Sequence, residues 1–340
     1  MSPELLVAGV LLVALVLYAI GGGADFGGGV WDLLAFGPTG ARQRQVIAHA
    51  IAPIWEANHV WLVLVVVLLF VCFPLAFAAI GIALHIPLTL MLIGIILRGA
   101  AFTFRTYDRQ DRATERRWSR VFAIASVITP ITLGMCVGAV VSGRLRVDVA
   151  TGAMSTDYVS EWLAPFPFAL GLFALALFAF LAATYLTLET GEDDLRRAFR
   201  ARALGAAIAT GVLAFVCLLL AREGAPRMHS GLAGRDWSPT FQIVTGVVAL
   251  ATIAALATWR FKLARVLAAL QVTLVIAGWG LSQFPYLVEP DLTIANSAAP
   301  QRVLRAVLWA LAAGAVLLLP ALAFLYRLFK GGPPEPTRSE

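Results

Sequence analysis

The chain has 340 residues, 60% of them hydrophobic and 14% charged, with a formal net charge of +6 at pH 7. That balance excludes a soluble single-domain protein of this length. It also excludes a basic nucleic-acid module, because the arginines sit in short clusters beside apolar runs and no polar domain carries them.

The charged clusters separate nine apolar runs, approximately Leu5–Ala35, Ala48–Phe70, Pro74–Leu97, Val121–Val141, Pro165–Leu188, Ala203–Ala221, Phe241–Ala257, Leu263–Leu281 and Val303–Leu328. Each is long enough to cross a bilayer core of about 30 Å at ~1.5 Å per helical residue. The expected fold is therefore an all-α integral membrane protein with about nine transmembrane helices, forming one polytopic domain over residues 1–330. The opening "MSPELL" has no basic segment, and the apolar run after it exceeds the core of a signal peptide, so the first helix is read as an uncleaved span. Only the Cys72–Phe73–Pro74 corner divides the second run from the third, and the proline there predicts a tight turn or a kink.

An odd number of spans places the termini on opposite sides, and positive charge tests that count independently of hydropathy. With the N-terminus outside and the C-terminus cytoplasmic, the inner segments hold 19 of the 26 Lys and Arg. The outer loops keep seven: Arg144, Arg146, Arg222, Arg227, Arg235, Arg302 and Arg305. Merging or splitting one helix would reverse the parity and spoil the bias. The final "GGPPEPTRSE", residues 331–340, has nothing apolar to bury and reads as a disordered cytoplasmic tail. Cys72, Cys136 and Cys217 each lie inside an apolar run without CxxC or CxxCH spacing, and read as small buried side chains.

Ionisable residues at membrane depth are the informative ones, since a charge there costs at least ~2.5–3.5 kcal/mol on insertion scales. In "GGGADFGGGVWDLL", Gly21 to Leu34, Asp25 and Asp32 lie seven apart and share one helix face. Asp32 is near the cytoplasmic end, where it is either solvated or an end-of-helix charge. Asp25 is deeper. The glycines around it remove side chains that would hold a neighbouring helix away, which explains the glycines and leaves the carboxylate unexplained. In "IAPIWEANHVWL", Ile51 to Leu62, Glu56 and His59 are i, i+3 neighbours able to share or pass a proton, and Asn58 offers a donor and an acceptor. Other readings of this stretch stand beside that one. Trp55 and Trp61 suit an interfacial belt or packing near a cofactor or quinone, and Glu56 with His59 suits a satisfied polar pair between helices. A Glu-x-x-His is also half of a di-iron site, but the second half and two further glutamates are absent, so no metal is expected. His85, before Pro87 in the third run, reads as an isolated intramembrane imidazole, either an axial haem ligand or a histidine hydrogen-bonded within the bundle.

These two stretches, with "RGAAFTFR" at Arg98 to Arg105 and "FPYLVEPDLTIANSAA" before the last helix, resemble subunit II of the cytochrome bd family of terminal oxidases. Where the family often has Trp-Asp-Gly-Asn this chain reads Trp55-Glu56-Ala57-Asn58, which keeps a carboxylate on a longer arm. The resemblance implies two four-helix bundles plus one peripheral helix, in the bacterial cytoplasmic membrane. It implies a subunit I that carries haem b and haem d type groups and the quinol site, with the present chain supplying an interface and part of a proton route to the oxygen-reducing centre. On that reading Asp25 and Glu56 are the proton-transfer residues, with His59, Asn58 and Asp32 as weaker candidates, and no haem is held by this chain. A small single-helix accessory subunit and a structural quinone or lipid fit the same picture; nucleic acid does not. Two rival functions explain intramembrane acids without it: a proton- or ion-coupled secondary transporter, and a purely structural membrane partner.

Overall fold

The computed structural model describes residues 2–51, 55–107 and 112–330, except for the side chains of residues 55, 56, 105–107, 112–116, 326, 329 and 330. In chain order come α1 (Pro3–Leu33), α2 (Gly40–Ile51), α3 (Trp55–Cys72), α4 (Pro74–Ala83), α5 (His85–Tyr107) and α6 (Arg112–Val141). A hairpin of β1 (Arg146–Val147) and β2 (Met154–Ser155) follows, then α7 (Pro165–Leu186), α8 (Asp193–Gly224), α9 (Pro226–Ala233), α10 (Ser238–Ala257) and α11 (Phe261–Gln283). A second hairpin of β3 (Tyr286–Val288) and β4 (Leu292–Thr293) leads into α12 (Gln301–Lys330). The tail assigned to residues 331–340 lies outside the described residues.

Eight of these helices are long and apolar enough to cross a membrane, and a ninth span arises if α3 and α4 are taken together. The third apolar run differs from expectation. The expected turn at Pro74 is present as a 116° bend between α3 and α4, and the third run is broken into α4 and α5. Prolines explain both ends of α4. Pro74 occupies the first turn of α4 after Phe73, whose φ of −135° and ψ of 60° are not helical. Pro87 lacks an N–H, and its ring would strike the Ala83 carbonyl if α4 ran on into α5. Hydropathy sees none of this, because every residue at the break except His85 is apolar.

α1, α3, α5 and α6 make one four-helix group and α7, α8, α10 and α11 the second, joined where α1 meets α7 and α11 and where α6 meets α7. α12 packs on the flank of α1 and α3, and its apolar stretch is not buried, as suits a peripheral helix facing lipid. The largest core lies between α1, α6, α7, α8 and α11, with Phe26, Phe122, Phe178, Leu181 and Phe199 at its centre. Cys72, Cys136 and Cys217 are all buried and free.

The α1–α7 seam depends on one missing side chain. A Cβ at Gly27 would lie 1.9 Å from the backbone carbonyl oxygen of Phe178, so the two helices can touch only if residue 27 has none. Gly27→Ala should therefore cost about 3 kcal/mol, since neither helix backbone can yield as a side chain would. Gly9→Ala, on the same helix but with nothing within 4 Å of the added carbon, is the control. Thermal unfolding of the detergent-solubilised protein checks this, and equal midpoints for the two variants would refute it.

Arginines mark one end of the molecule. Arg202 donates to Leu34 O at 2.7 Å and Arg44 to Ala35 O at 2.8 Å, covering the carbonyls that α1 leaves open at its C-terminus. Arg200 does the same for α10 through Leu256 O and Ala257 O at 2.7 and 3.0 Å. Cations at helix C-termini also oppose the negative end of the helix dipole. Arg42 ties α2 to the α7–α8 connection through Glu192 and, at 2.7 Å, Asp194.

The opposite end carries the two hairpins, held together by Asp291. Its carboxylate accepts two bonds from Arg146, at 2.9 and 3.2 Å, and one from the Val147 N–H at 2.9 Å. Glu289, in the β3–β4 turn, is 1% exposed, and its Oε1 is buried without a hydrogen-bond donor among the described residues. Burial pushes its carboxyl up to about 7, against the pull of the nearby Arg227 guanidinium. A folded-state pKa above the unfolded value of 4.5 gives stability that is complete below that value and disappears as pH rises through about 7. The hairpin end should thus loosen by about 1–2 kcal/mol between pH 5 and 8. Hydrogen exchange across residues 284–299 reads this, and Glu289→Gln should abolish the pH dependence; if the variant keeps it, another group is responsible.

Candidate functional site

Asp25 lies two-thirds of the way along α1 and is 3% exposed. Asn58, on α3, donates from Nδ2 to Asp25 Oδ2 at 2.7 Å. The contact needs Gly21, since a Cβ there would stand 2.5 Å from Asn58 Oδ1. The acid and amide that the sequence presents in separate motifs are thus one hydrogen-bonded pair, and the glycine run makes room for it.

Arg98 supplies the positive charge. It is 2% exposed in α5, its Cζ lies 4.8 Å from the centre of the Phe26 ring and 5.2 Å from that of Phe122, and Asp25 and Tyr18 are within electrostatic reach. A guanidinium sandwiched on aromatic faces keeps its charge away from water at lower cost than an ammonium would. Sequence reasoning counted Arg98 among the loop cations. The available signal was its place at the head of "RGAAFTFR", three residues after apolar Ile95 and before further apolar residues, which allows the helix to continue past it.

His59 completes the cluster from α3. Its ring makes edge contacts with Tyr18 and Phe26, at centroid distances of 6.2 and 6.3 Å. Asp32 is 2% exposed, so it is not the solvated helix-end charge that one reading allowed. Trp61 packs on the main core. The side chains of Trp55 and Glu56 lie outside the described residues. His85 is corrected: it sits at the α4–α5 break, exposed, with Nδ1 2.9 Å from Ile82 O and its ring 5.5 Å from that of Tyr158. It is hydrogen-bonded, but at the break between α4 and α5 near the hairpin end rather than inside the bundle.

A cavity of about 230 Å³ reaches Asp25 along α1. Its inner wall is Gly21, Ala24 and Asp25, and its outer rim is Tyr185, Glu189 and Arg265. A second, of about 160 Å³, lies beside Arg144 and Glu223. Neither is lined by histidine, and both are smaller than the roughly 300–1,000 Å³ of a typical cofactor pocket. His59 is wedged against Tyr18 and Phe26, and His85 is exposed. Among the described residues no group of three or more His, Cys, Asp or Glu is placed to hold a metal ion. What the arrangement can do is hold a carboxylate at membrane depth, compensate its charge and give it access to water.

Comparison with known proteins fits this geometry. The family model for cytochrome bd terminal oxidase subunit II matches residues 3–329. The chain belongs to that family. Among relatives, it is 30% identical over 218 residues to cytochrome bd-I ubiquinol oxidase subunit 2 of Escherichia coli, covering 64% of this chain and 54% of that protein. The chain thus matches about half the length of this relative. It is 23% identical over 323 residues to the putative cytochrome bd menaquinol oxidase subunit II of Bacillus subtilis, covering 92% and 91% of the two chains. In fold it matches a chain of the bd oxidase from Geobacillus thermodenitrificans with a TM-score of 0.80 at 24% identity, over 98% of this chain and 100% of that one.

Proposed function

We propose that this chain is the second subunit of a membrane-bound cytochrome bd-type oxygen reductase that oxidises quinol and reduces O2 to water. It supports a haem-bearing subunit I and carries part of the proton path. The observation that carries this reading is the Asp25–Asn58 pair at 2.7 Å, facing Arg98 inside apolar helices and bordering a cavity. An acid so placed has a hydrogen-bond donor, a cation within reach and a bordering cavity, which is what a group that loads and unloads protons requires.

In this reading Asp25 and Glu56 relay protons, with Asn58 orienting Asp25 and with His59 and Asp32 as further members of the route. The haem b and haem d type groups belong to subunit I and supply the oxygen chemistry there. Trp55 and Trp61 are assigned to packing near a cofactor, quinone or lipid. The chain lies in the bacterial cytoplasmic membrane with its N-terminus outside and its arginine-rich end in the cytoplasm. The arginine caps on α1 and α10 support that orientation, because they gather the cations on one side.

Co-purification tests the assignment. The tagged chain, expressed with its genomic neighbours, should bring down a polytopic haem-bearing partner. His59→Ala and His85→Ala should leave every haem band of the complex in place, because an axial ligand fixes spin state and potential and its loss alters a band. A haem spectrum from this chain purified alone, or loss of one band in either variant of an assembled complex, would overturn the division of labour.

A further inference from the structure

The turn between α10 and α11 exposes a tryptophan at a strained position. Trp259 has a φ of 61°, a left-handed conformation that a bulky residue adopts only at a cost, and it is 44% exposed. Arg260 donates its N–H to Ala255 O at 2.8 Å and Trp259 donates to Leu256 O at 3.4 Å, a helix ending in which glycine usually takes the left-handed place. Four cations gather at this indole. Arg200 of α8 lies with Cζ 5.3 Å from the Trp259 ring centre, while its Nε and Nη2 hold Leu256 O and Ala257 O and leave Nη1 over. Arg197 is one turn earlier on α8, and Arg260 and Lys262 follow Trp259; all three are exposed. The carboxylates of residues 189–194 are engaged elsewhere, Glu192 and Asp194 with Arg42, Asp193 with Arg196 and Glu189 with Arg265. Among the described residues none of the four cations has an ion-pair partner.

Beside this charge the surface is apolar. Ile208, Val212 and Phe215 form an exposed stripe on α8, headed at helical spacing by Arg197. Ile243, Val247 and Leu250 form another on α10, the helix that packs on α8 and ends at Ala257 in the grip of Arg200. Uncompensated cations at the head of two neighbouring lipid-facing stripes, with an amphipathic indole at the same level, have the chemistry of a phospholipid site. We propose that Arg197, Arg200 and Arg260, grouped on Trp259, bind the headgroup phosphate of an anionic phospholipid whose acyl chains lie along α8 and α10. The lipid offsets the mutual repulsion of the cations and braces α8 against the α10–α11 turn. A zwitterionic lipid carries no net charge with which to do so. The site does not depend on proton relay by Asp25.

Native mass spectrometry of the assembled complex, delipidated in detergent and titrated with dioleoylphosphatidylglycerol, tests the site. Arg197→Gln combined with Arg260→Gln should weaken the tightest binding by about tenfold, since each cation at a membrane surface contributes about 1 kcal/mol. Arg302→Gln with Arg305→Gln removes the same charge from exposed residues of α12 and should leave binding unchanged. Trp259→Gly gives the turn the residue its φ favours, so folding is kept, and should weaken binding by about threefold through loss of the indole. Dioleoylphosphatidylcholine should not compete. The proposal is overturned if the Arg197 and Arg260 double variant or Trp259→Gly binds as the parent does, if the α12 control loses as much, or if phosphatidylcholine binds equally well. Displacement by inorganic phosphate would reveal a site for the anion alone, and would overturn the lipid.

Discussion

Asp25→Asn should slow oxygen consumption by the assembled complex at least about tenfold while its haem bands stay at full height. The amide is nearly the same size as the acid and can still accept the 2.7 Å bond from Asn58 through its own oxygen, so the contacts with Gly21 and α3 survive. What it cannot do is titrate. A relay group must take and release a proton in every cycle, and positioned proton transfer is typically worth about 10²–10⁴ in rate. Glu56→Gln is expected to act in the same direction. Oxygen uptake per haem is the measurement. Normal rates in both variants would end the relay proposal, and haem content falling in step with activity would instead assign Asp25 to assembly.

The legible parts of this protein were those that obey a one-dimensional rule. Apolar length gave the membrane helices, and the clustering of arginines gave the end at which they cap α1 and α10. An acid among glycines marked Asp25, because neither lipid nor packing explains a carboxylate there. Its pairing with Asn58 was not legible, since 33 residues separate them and only the crossing of α1 with α3 brings them together. Arg98 was misread for a physical reason. A charge lowers local hydropathy, so the apolar run seemed to stop at Leu97, whereas α5 continues to Tyr107 and buries the guanidinium between two rings. The break between α4 and α5 was hidden in the opposite way, by apolar residues on both sides of a backbone that Pro87 interrupts. Nothing in the sequence marked Glu189 and Arg265, because only the packing of α7 against α1 and α11 sets them beside a cavity.

Arg98→Gln is expected to destabilise the complex by about 3 kcal/mol, because removing one member of a buried charge system leaves the other uncompensated. The loss has two sources. Asp25 would lose the cation within its reach, and Phe26 and Phe122 would lose the planar group stacked between them. Arg98→Lys separates the two: an ammonium restores charge but not the flat stack, so it should recover only part of the stability. The double variant Arg98→Gln with Asp25→Asn supplies the decisive comparison. If the residues compensate each other, neutralising both should cost less than the sum of the single losses, by roughly 1–2 kcal/mol. Thermal unfolding of the solubilised complex, followed by haem retention, reads all four proteins. Additive losses would show that Arg98 is held by its aromatic neighbours alone, and the charge partnership with Asp25 would then have to be abandoned.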